Sequence, residues 1–245
     1  MGINYCGKTD IGLKRNTNQD YFTVSELDNG LLLMVVCDGM GGAAGGSEAS
    51  SIATGTFSEY VKSHLIAKNK DEYLAVLENA LDEANKAVCA KACSSRELEG
   101  MGTTLVSALY DGESYYCIWV GDSRIYALSA GKLRQISHDH SFVQTLVDGG
   151  SITKDEARVH PNRNIITRAV GIEKGIAGDV CRLSDASLDG ILLCSDGLCG
   201  YVEEDVIANT VFGDDNTEEV CEKLIKLANE SGGPDNITVV IHKKQ

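Results

Sequence analysis

Apolar runs typical of β-strands recur along the whole chain. They are short, rich in Val, Ile, Leu and aromatic residues, and bounded by Gly, Asp, Asn or Ser, which is the pattern of strands separated by turns. The predicted strands are 20–25, 31–37, 103–110, 115–121, 124–130, 178–183, 190–195 and 236–242. The stretch YYCIWVGDSRIYAL passes from one run to the next with almost no polar spacer, which favours antiparallel hairpins.

Longer segments carry the spacing of amphipathic helices instead. In 72–92 and 216–230 the apolar residues recur every three or four positions. Asn216 is a predicted N-cap, and Gly232 lies just past the end of the second helix. Residues 45–66 are predicted to form another helix after a glycine turn. A regular alternation of strand and helix is missing, so the pattern indicates an α+β fold with sheets covered by helices.

The segment 138–165 follows neither pattern. It is polar and contains His138, His140 and His160, which predicts short helices and a loop. We refer to it as the flap-like segment. No linker or repeat divides the chain, so residues 1–245 are expected to form a single domain that includes this segment.

Composition narrows the classes of function. The 245-residue chain has a formal net charge of −14, which argues against nucleic acid and anionic membranes as partners. Carboxylates neutralised by cations are one possible source of the negative charge. The nine cysteines are odd in number and show no CxxC spacing, so free thiols in a reducing cytoplasm are expected. No apolar stretch reaches membrane-spanning length.

The stretch LLLMVVCDGMGG, residues 31–42, has two interpretations. Gly39, Gly41 and Ala44 match the glycine pattern of a dinucleotide-binding loop, with Glu59 at the spacing of a ribose partner. However, Asp38 would repel a pyrophosphate, and the βαβ units that such a loop requires are absent from the pattern. The alternative is a metal site.

The metal interpretation gains support because the arrangement recurs. Asp38, Asp122 and Asp196 each end an apolar run, and Asp235 immediately precedes one. A single aspartate at a strand end is usually a turn residue. Four carboxylates gathered at one sheet edge would repel each other unless cations neutralise them. Oxygen ligands favour Mg²⁺ or Mn²⁺ over zinc.

These motifs resemble the metal-dependent Ser/Thr protein phosphatases of the PPM, or type 2C, family in its compact bacterial form. Any one motif is weak, but together they follow the family order over nearly the whole chain. The matching runs are DIGLKRNTNQD (10–20), VVCDGMGG (35–42), MGTTL (101–105), VGDSRIY (120–126), DHS (139–141), ITRAVG (166–171), LLCSDGL (192–198) and GGPDNITVV (232–240). The resemblance implies two packed antiparallel sheets flanked by helices on both outer faces.

The resemblance also implies a centre for two Mn²⁺ or Mg²⁺ ions where the sheets meet. Asp38 would bridge the two ions, and the Gly39 carbonyl would bind one of them. Asp196 and Asp235 would hold the other ion. Asp20 would act mostly through water.

Two further positions complete the implied site. Asp122, together with Asp196, matches the position of a third, looser ion in bacterial members. Arg15 would grip the substrate phosphate, since its planar guanidinium matches phosphate geometry. Alternatively, Arg15 pairs with Asp10 or Asp20 as surface charge.

The function implied by the resemblance is hydrolysis of phosphoserine and phosphothreonine in proteins by direct in-line attack. The expected protein is a cytoplasmic monomer that reverses a cognate Ser/Thr kinase. Two alternatives are a phosphoprotein-binding module without turnover and a partner-switching phosphatase with one substrate. A module without turnover has no need to keep Asp38, Asp122, Asp196 and Asp235, which disfavours it.

The sequence does not assign a chemical role to Met40, His140 or Gln19. Met40 stands where some family members place a histidine proposed as general acid, and methionine cannot donate a proton. His140 is a candidate donor by residue type, but an anchoring role is favoured, and a zinc pair with His138 lacks a third nearby ligand. Gln19 replaces a glutamate of many relatives, which keeps an oxygen and removes a charge. The flap-like segment is expected to select substrate.

Overall fold

The protein folds into two antiparallel sheets packed face to face and flanked by helices. The structure is a computed structural model, which describes residues 4–27, 30–65 and 70–244. The strands are β1 (Asn4–Asp10), β2 (Asp20–Glu26), β3 (Leu32–Met40), β4 (Gly102–Thr103), β5 (Leu105–Tyr110), β6 (Tyr115–Val120), β7 (Arg124–Ser129), β8 (Lys132–Gln135), β9 (Asp179–Leu183), β10 (Leu188–Cys194) and β11 (Ile237–Lys243).

Most of the helices cover the outer faces of the sheets, whereas two short ones lie in the flap-like segment. The helices are α1 (Gly42–His64), α2 (Tyr73–Ala92), α3 (Phe142–Asp148), α4 (Lys154–Arg158), α5 (Asp196–Cys199), α6 (Glu204–Val211) and α7 (Thr217–Glu230). One sheet has the order β1-β11-β10-β7-β8, and the other has the order β2-β3-β5-β6-β9 with β4 paired to β3. Every strand pairing among the described residues is antiparallel, which confirms the α+β prediction. The antiparallel pairing also shows that the dinucleotide-binding alternative is wrong.

Three apolar layers hold these elements together. Leu32, Met34 and Val36 of β3 point into the layer between the two sheets. Leu33 and Val35 alternate with them and point towards α1 and α2. A third layer joins the other sheet to α5, α6 and α7. Because β3 is covered on both faces, its sequence is a continuous apolar run rather than an alternating one.

The structure confirms most predicted elements and adds several. Asn216 accepts hydrogen bonds from Glu218 N (3.0 Å) and Glu219 N (3.0 Å), so it caps α7 as expected. Helix α1 begins at Gly42, before the predicted start, while residue 66 lies outside the described residues. The sequence pattern missed β1 and β8 because both are partly exposed edge strands with weak alternation.

The flap-like segment contains two short capped helices, as predicted. Ser141 caps α3 by accepting a hydrogen bond from Gln144 N. Thr153 and Glu156 form a capping box at the start of α4. None of the helices in the described ranges is long and apolar enough to cross a membrane.

Candidate metal centre

Asp38 stands at the end of β3, where its backbone is held from several sides. It pairs in register with Asp20 of β2, so the two carboxylates belong to neighbouring strands. The Asp38 N–H donates to Thr104 Oγ1 (2.9 Å), and the Asp38 carbonyl accepts from Thr103 Oγ1 (2.8 Å) and Thr104 N (2.8 Å). Three hydrogen bonds therefore fix the position of the Asp38 backbone.

Asp20 is the most buried carboxylate of the site. Its Oδ2 accepts hydrogen bonds from Ser195 Oγ (2.7 Å) and Thr238 Oγ1 (2.7 Å). Its Oδ1 is buried and has no hydrogen-bond partner among the described residues. Since Ser195 immediately precedes Asp196, these bonds connect the end of β10 to the start of β2.

Asp196 and Asp235 come from adjacent strands of the other sheet. Asp196 is the first residue of α5, directly after β10, and Asp235 lies just before β11. Asp196 Oδ1 is also buried without a hydrogen-bond partner in the part of the chain that the structure describes. Orphaned buried acceptors are costly, and here two carboxylate oxygens are left free to bind a cation or its water.

The electrostatics show that the aspartates form one cluster. Burial, with added repulsion from Asp196 and Asp235, raises the pKa of Asp20 to about 7. Burial and the charge of Asp235 raise the pKa of Asp196 to about 6. Burial followed by neighbouring carboxylates also raises the pKa of Asp38 and of Asp122 well above the usual range. Carboxylates that oppose each other's ionisation in this way attract divalent cations.

Gly39 and Gly46 bring the end of β3 into contact with the start of α1. A Cβ at Gly39 would lie 2.0 Å from the Gly46 carbonyl oxygen, and a Cβ at Gly46 would lie 2.6 Å from the Gly39 carbonyl oxygen. Only glycine allows backbones to approach so closely. The Gly39 N–H donates to the Gln19 carbonyl (3.1 Å), which adds a third segment to this junction.

Arg15 reaches the cluster from the loop after β1. Its Nη2 lies 2.8 Å from Asp235 Oδ2, and its side chain remains half-exposed. The alternative pairing of Arg15 with Asp10 or Asp20 is therefore wrong. Asp10 instead accepts a hydrogen bond from Gly12 N (2.8 Å) at the start of the same loop.

Asn236 shapes the loop that carries Arg15. Its buried side-chain amide donates to the carbonyls of Ile11 (2.9 Å) and Thr17 (3.0 Å), and its Oδ1 accepts from Gln19 N (2.8 Å). Gly12, with a φ of +77°, approaches so closely that a Cβ there would lie 2.1 Å from the Asp235 carbonyl oxygen. The loop is thus tied to the residues that flank Asp235.

The residues at this site fit a hard divalent cation. Their donors are carboxylate and carbonyl oxygens, the ligands that Mg²⁺ and Mn²⁺ prefer. Among the described residues, no three Asp, Glu, His or Cys side chains converge on one point as a complete ligand set. Such convergence is not required, because Mg²⁺ in particular keeps several waters and takes few protein ligands.

The structure gives polar partners to Gln19, His138 and His140, whose roles the sequence did not assign. Gln19 Nε2 donates to the Gly42 carbonyl (2.5 Å), so this side chain anchors the start of α1. His138 Nε2 lies 2.7 Å from Asp148 Oδ2. His140 Nδ1 accepts a hydrogen bond from Gly121 N (3.1 Å). The two histidines therefore have different partners, which is the anchoring role that the sequence favoured and not a zinc pair.

A cavity of about 360 Å³ opens beside Asp122 and Asp196. Its walls come from the flap-like segment on one side and from residues 199–205 on the other. Arg158 of α4 spans these walls through an ion pair with Glu203 (2.9 Å). The flap-like segment thus borders the cluster.

Sequence reasoning missed the polar residues that hold the aspartates. Thr104, Ser195, Asn236 and Thr238 are all buried and each binds a site residue or its flanking backbone. The available signal was their position, since each lies within the quoted motifs and at a strand end. A buried hydroxyl or amide beside a carboxylate cluster is expected to be a hydrogen-bond donor or acceptor for it.

An aspartate cluster beside an arginine, where two antiparallel sheets meet, is the arrangement of a metal-dependent phosphatase. Comparison with known proteins agrees. The family model described as protein phosphatase 2C matches residues 13–238, and the chain belongs to this family.

The relatives are bacterial phosphatases. The chain is 36% identical over 234 residues to the serine/threonine phosphatase stp of Listeria welshimeri, covering 96% of this chain and 93% of the relative. The crystal structure of Stp1 from Staphylococcus aureus has a TM-score of 0.95 at 32% identity, covering 100% and 96% of the two chains. The PstP catalytic domain in complex with two manganese ions has a TM-score of 0.86 at 34% identity, covering 98% and 97%.

Proposed function

We propose that this chain hydrolyses phosphoserine and phosphothreonine in proteins with the help of two Mn²⁺ or Mg²⁺ ions. The observation that carries the proposal is the cluster of Asp20, Asp38, Asp196 and Asp235, with Arg15 at its edge. Two buried carboxylate oxygens without partners and the raised pKa values of the cluster are what a cation site requires before its ions bind.

In this proposal each site residue has a distinct role. Asp38 bridges the two ions, and the Gly39 carbonyl is a ligand of one of them. Asp196 and Asp235 hold the other ion. Asp20 acts through water, because one of its oxygens is already occupied by Ser195 and Thr238. When bound, the ion pair supplies a water of lowered pKa and positive charge for the phosphate oxygens.

Arg15 binds the substrate phosphate. Its guanidinium is half-exposed and already points at the cluster through Asp235. A phosphate that arrives at the cluster offers a doubly charged, bidentate partner, which Arg15 binds in place of or beside Asp235. Arg15 thereby orients phosphorus for in-line attack.

Attack by water is direct, without a covalent phosphoenzyme. Ser195 is the hydroxyl nearest the cluster in sequence, and it is buried with its proton donated to Asp20. Met40 has no proton to give to the leaving oxygen, and His140 presents its Nδ1 to Gly121 N as an acceptor. In this proposal solvent supplies the proton for the leaving alkoxide.

The cellular setting follows from the same function. The substrates are phosphoproteins, and a cognate Ser/Thr kinase with its targets supplies them. The protein acts as a cytoplasmic monomer, and a third ion binds at Asp122 and Asp196. The flap-like segment, residues 138–165 of a single catalytic domain, selects among substrates because it lines the cavity beside the cluster.

The test is turnover of p-nitrophenyl phosphate and of a phosphothreonine peptide with and without Mn²⁺. We expect manganese-dependent hydrolysis that Asp38→Asn abolishes. Asp214→Asn, on the exposed surface, is the matched control and should behave as wild type. A folded wild-type protein that binds phosphopeptide but turns over neither substrate would favour the binding module instead.

A further inference from the structure

The turn that carries Asp122 is held by the segment that follows β8. The His140 N–H donates to the Gly121 carbonyl (2.8 Å), and the Gly121 N–H donates to His140 Nδ1 (3.1 Å). On the other side of Asp122, Arg124 forms a bidentate pair with Asp139, with Nη2 2.8 Å from Oδ2. Gly121 and Arg124, on either side of Asp122, thus form hydrogen bonds with the consecutive side chains of His140 and Asp139.

The environment of His140 defines the state of its ring. The side chain is 5% exposed. Because Nδ1 accepts from a backbone N–H, the ring proton is on Nε2 and the imidazole is neutral. Nε2 lies 3.4 Å from Asp179 Oδ2, outside good hydrogen-bond alignment. Burial and the positive charge of Arg168 lower the pKa of His140, which agrees with a neutral ring.

We propose that His140 is a positioning residue for Asp122, which it holds in place for metal binding through the Gly121 N–H. This inference rests on the proposed function, in which Asp122 is a ligand of the third ion. The Asp179 carboxylate faces Nε2 while Nδ1 faces Gly121, so its negative charge favours the ring with its proton on Nε2. Neither His140 nor Asp179 lines the cavity beside the cluster.

Because of the packing on the other face of the turn, the contact between Gly121 and His140 determines where the turn lies. Gly121 has a φ of +102°, and a Cβ there would lie 2.5 Å from Thr104 Cγ2. Ser123 Oγ lies 2.7 Å from Thr104 Oγ1, with both side chains buried. The turn cannot move towards Thr104. An apolar side chain at position 140 would leave the Gly121 N–H buried without an acceptor, so the turn would shift away to find water.

The experiment measures Mn²⁺ binding to the metal-free protein by titration calorimetry, not activity. His140→Leu removes the acceptor, whereas His140→Asn keeps an acceptor near the Nδ1 position. We expect Mn²⁺ to bind to a tight class and a weaker class of sites. Both variants should keep the affinity of the tight class within about twofold of wild type. Asp122→Ala should eliminate the weaker class. Loss of an outer ligand partner typically costs about 10- to 100-fold in metal affinity, so His140→Leu should weaken this class about tenfold. His140→Asn should stay within about threefold of wild type.

Two further variants separate positioning from a merely structural role. His138→Leu removes a neighbouring, largely exposed histidine that does not contact the turn, and it should bind ions as wild type does. Asp179→Asn keeps His140 but removes the charge that faces its Nε2, so it should weaken the same class about threefold. This variant tests the inference even if His140→Leu fails to fold. Thermal melting of each metal-free variant reports folding separately.

Three outcomes would overturn the inference. His140→Leu could bind the weaker class as wild type does, His140→Asn could be as weak as His140→Leu, or wild type could lack a class of ions that depends on Asp122. Failure of the proposed function is distinguishable from these, because it would show as wild-type protein that binds ions but does not hydrolyse p-nitrophenyl phosphate.

Discussion

The aspartate cluster and the flap-like segment are built in opposite ways. The cluster lies at strand ends where the two sheets meet, and buried hydroxyl and amide groups fix the backbone around it. The flap-like segment contains two short helices and exposed chain, and Val159, directly after α4, is 82% exposed. Chemistry on phosphorus requires ligands held in place, whereas recognition of varied proteins tolerates an adaptable wall.

The largest expected effect comes from a cluster residue. Asp196→Asn removes one carboxylate charge with little change of shape, and we expect kcat/KM for p-nitrophenyl phosphate to fall about 1,000-fold or more. Ion-assisted catalysis supplies several kcal/mol of charge stabilisation, and each 1.36 kcal/mol is about tenfold in rate. Asp155, in the flap-like segment, lines the same cavity. The kcat/KM of Asp155→Asn should stay within about twofold of wild type. Equal losses in both variants would erase the contrast between the regions.

A smaller loss is expected at Arg15. Arg15→Lys keeps the charge but loses the planar fork, so we expect kcat/KM to fall about 10- to 100-fold, in line with two lost charge-assisted hydrogen bonds. Steady-state kinetics with saturating Mn²⁺ provide the measurement. Lys14→Arg, on the exposed neighbour, is the control. Full activity in Arg15→Lys would mean that Arg15 acts only as a point charge beside Asp235.

The cluster should also make the stability of the folded protein depend on pH. In the metal-free folded protein Asp20 and Asp196 titrate at about 7 and about 6, whereas the same groups in the unfolded chain titrate near 3.9. Between pH 6 and 8 the folded state therefore holds more protons than the unfolded state, and stability falls as pH rises. His242, whose pKa is lowered to about 4, stays neutral throughout this window.

Mn²⁺ should reverse this trend, since its ligands must be deprotonated. We expect the rise in melting temperature on adding Mn²⁺ to be larger at pH 8 than at pH 6, as measured by differential scanning calorimetry. Asp20→Asn should flatten the pH dependence of the metal-free protein. A rise in melting temperature that does not change with pH would argue that the ions bind elsewhere.

The smallest effect is expected in the flap-like segment. Arg158→Ala breaks an ion pair with Glu203 on a largely exposed surface, and such pairs contribute about 0–1 kcal/mol. We expect turnover of p-nitrophenyl phosphate within about twofold of wild type and turnover of a phosphothreonine peptide changed about threefold. Glu203→Gln should reproduce the same split. A large loss on the small substrate would make the flap-like segment part of the chemical machinery.

The sequence predicted which aspartates come together better than it predicted which groups hold them in place. Asp38, Asp196 and Asp235 could be found because each interrupts an apolar run, which is a local signal. The pairing of Arg15 with Asp235 joins residues 220 positions apart, and no local pattern reports such a contact. The same holds for Thr238 as a partner of Asp20, because its hydroxyl in a strand has no distinctive spacing.

The strands and helices likewise divide into elements that the sequence predicted and elements that it missed. Strands covered on both faces, such as β3, were predicted because burial requires a continuous apolar run. The edge strands β1 and β8 were missed because an edge needs little apolar surface and often carries charge. Helix α6 was also missed, since only Ile207 and Val211 of its eight residues are buried.

The proposed function depends above all on the aspartate cluster holding the catalytic ion pair. The most direct measurement is a crystal structure of the protein grown with Mn²⁺, with anomalous difference density collected at the manganese edge. We expect two strong peaks on either side of the Asp38 carboxylate, one of them next to Asp196 and Asp235. A map with no peak at Asp38, or with peaks only at other surface carboxylates, would show that the cluster is not the ion site.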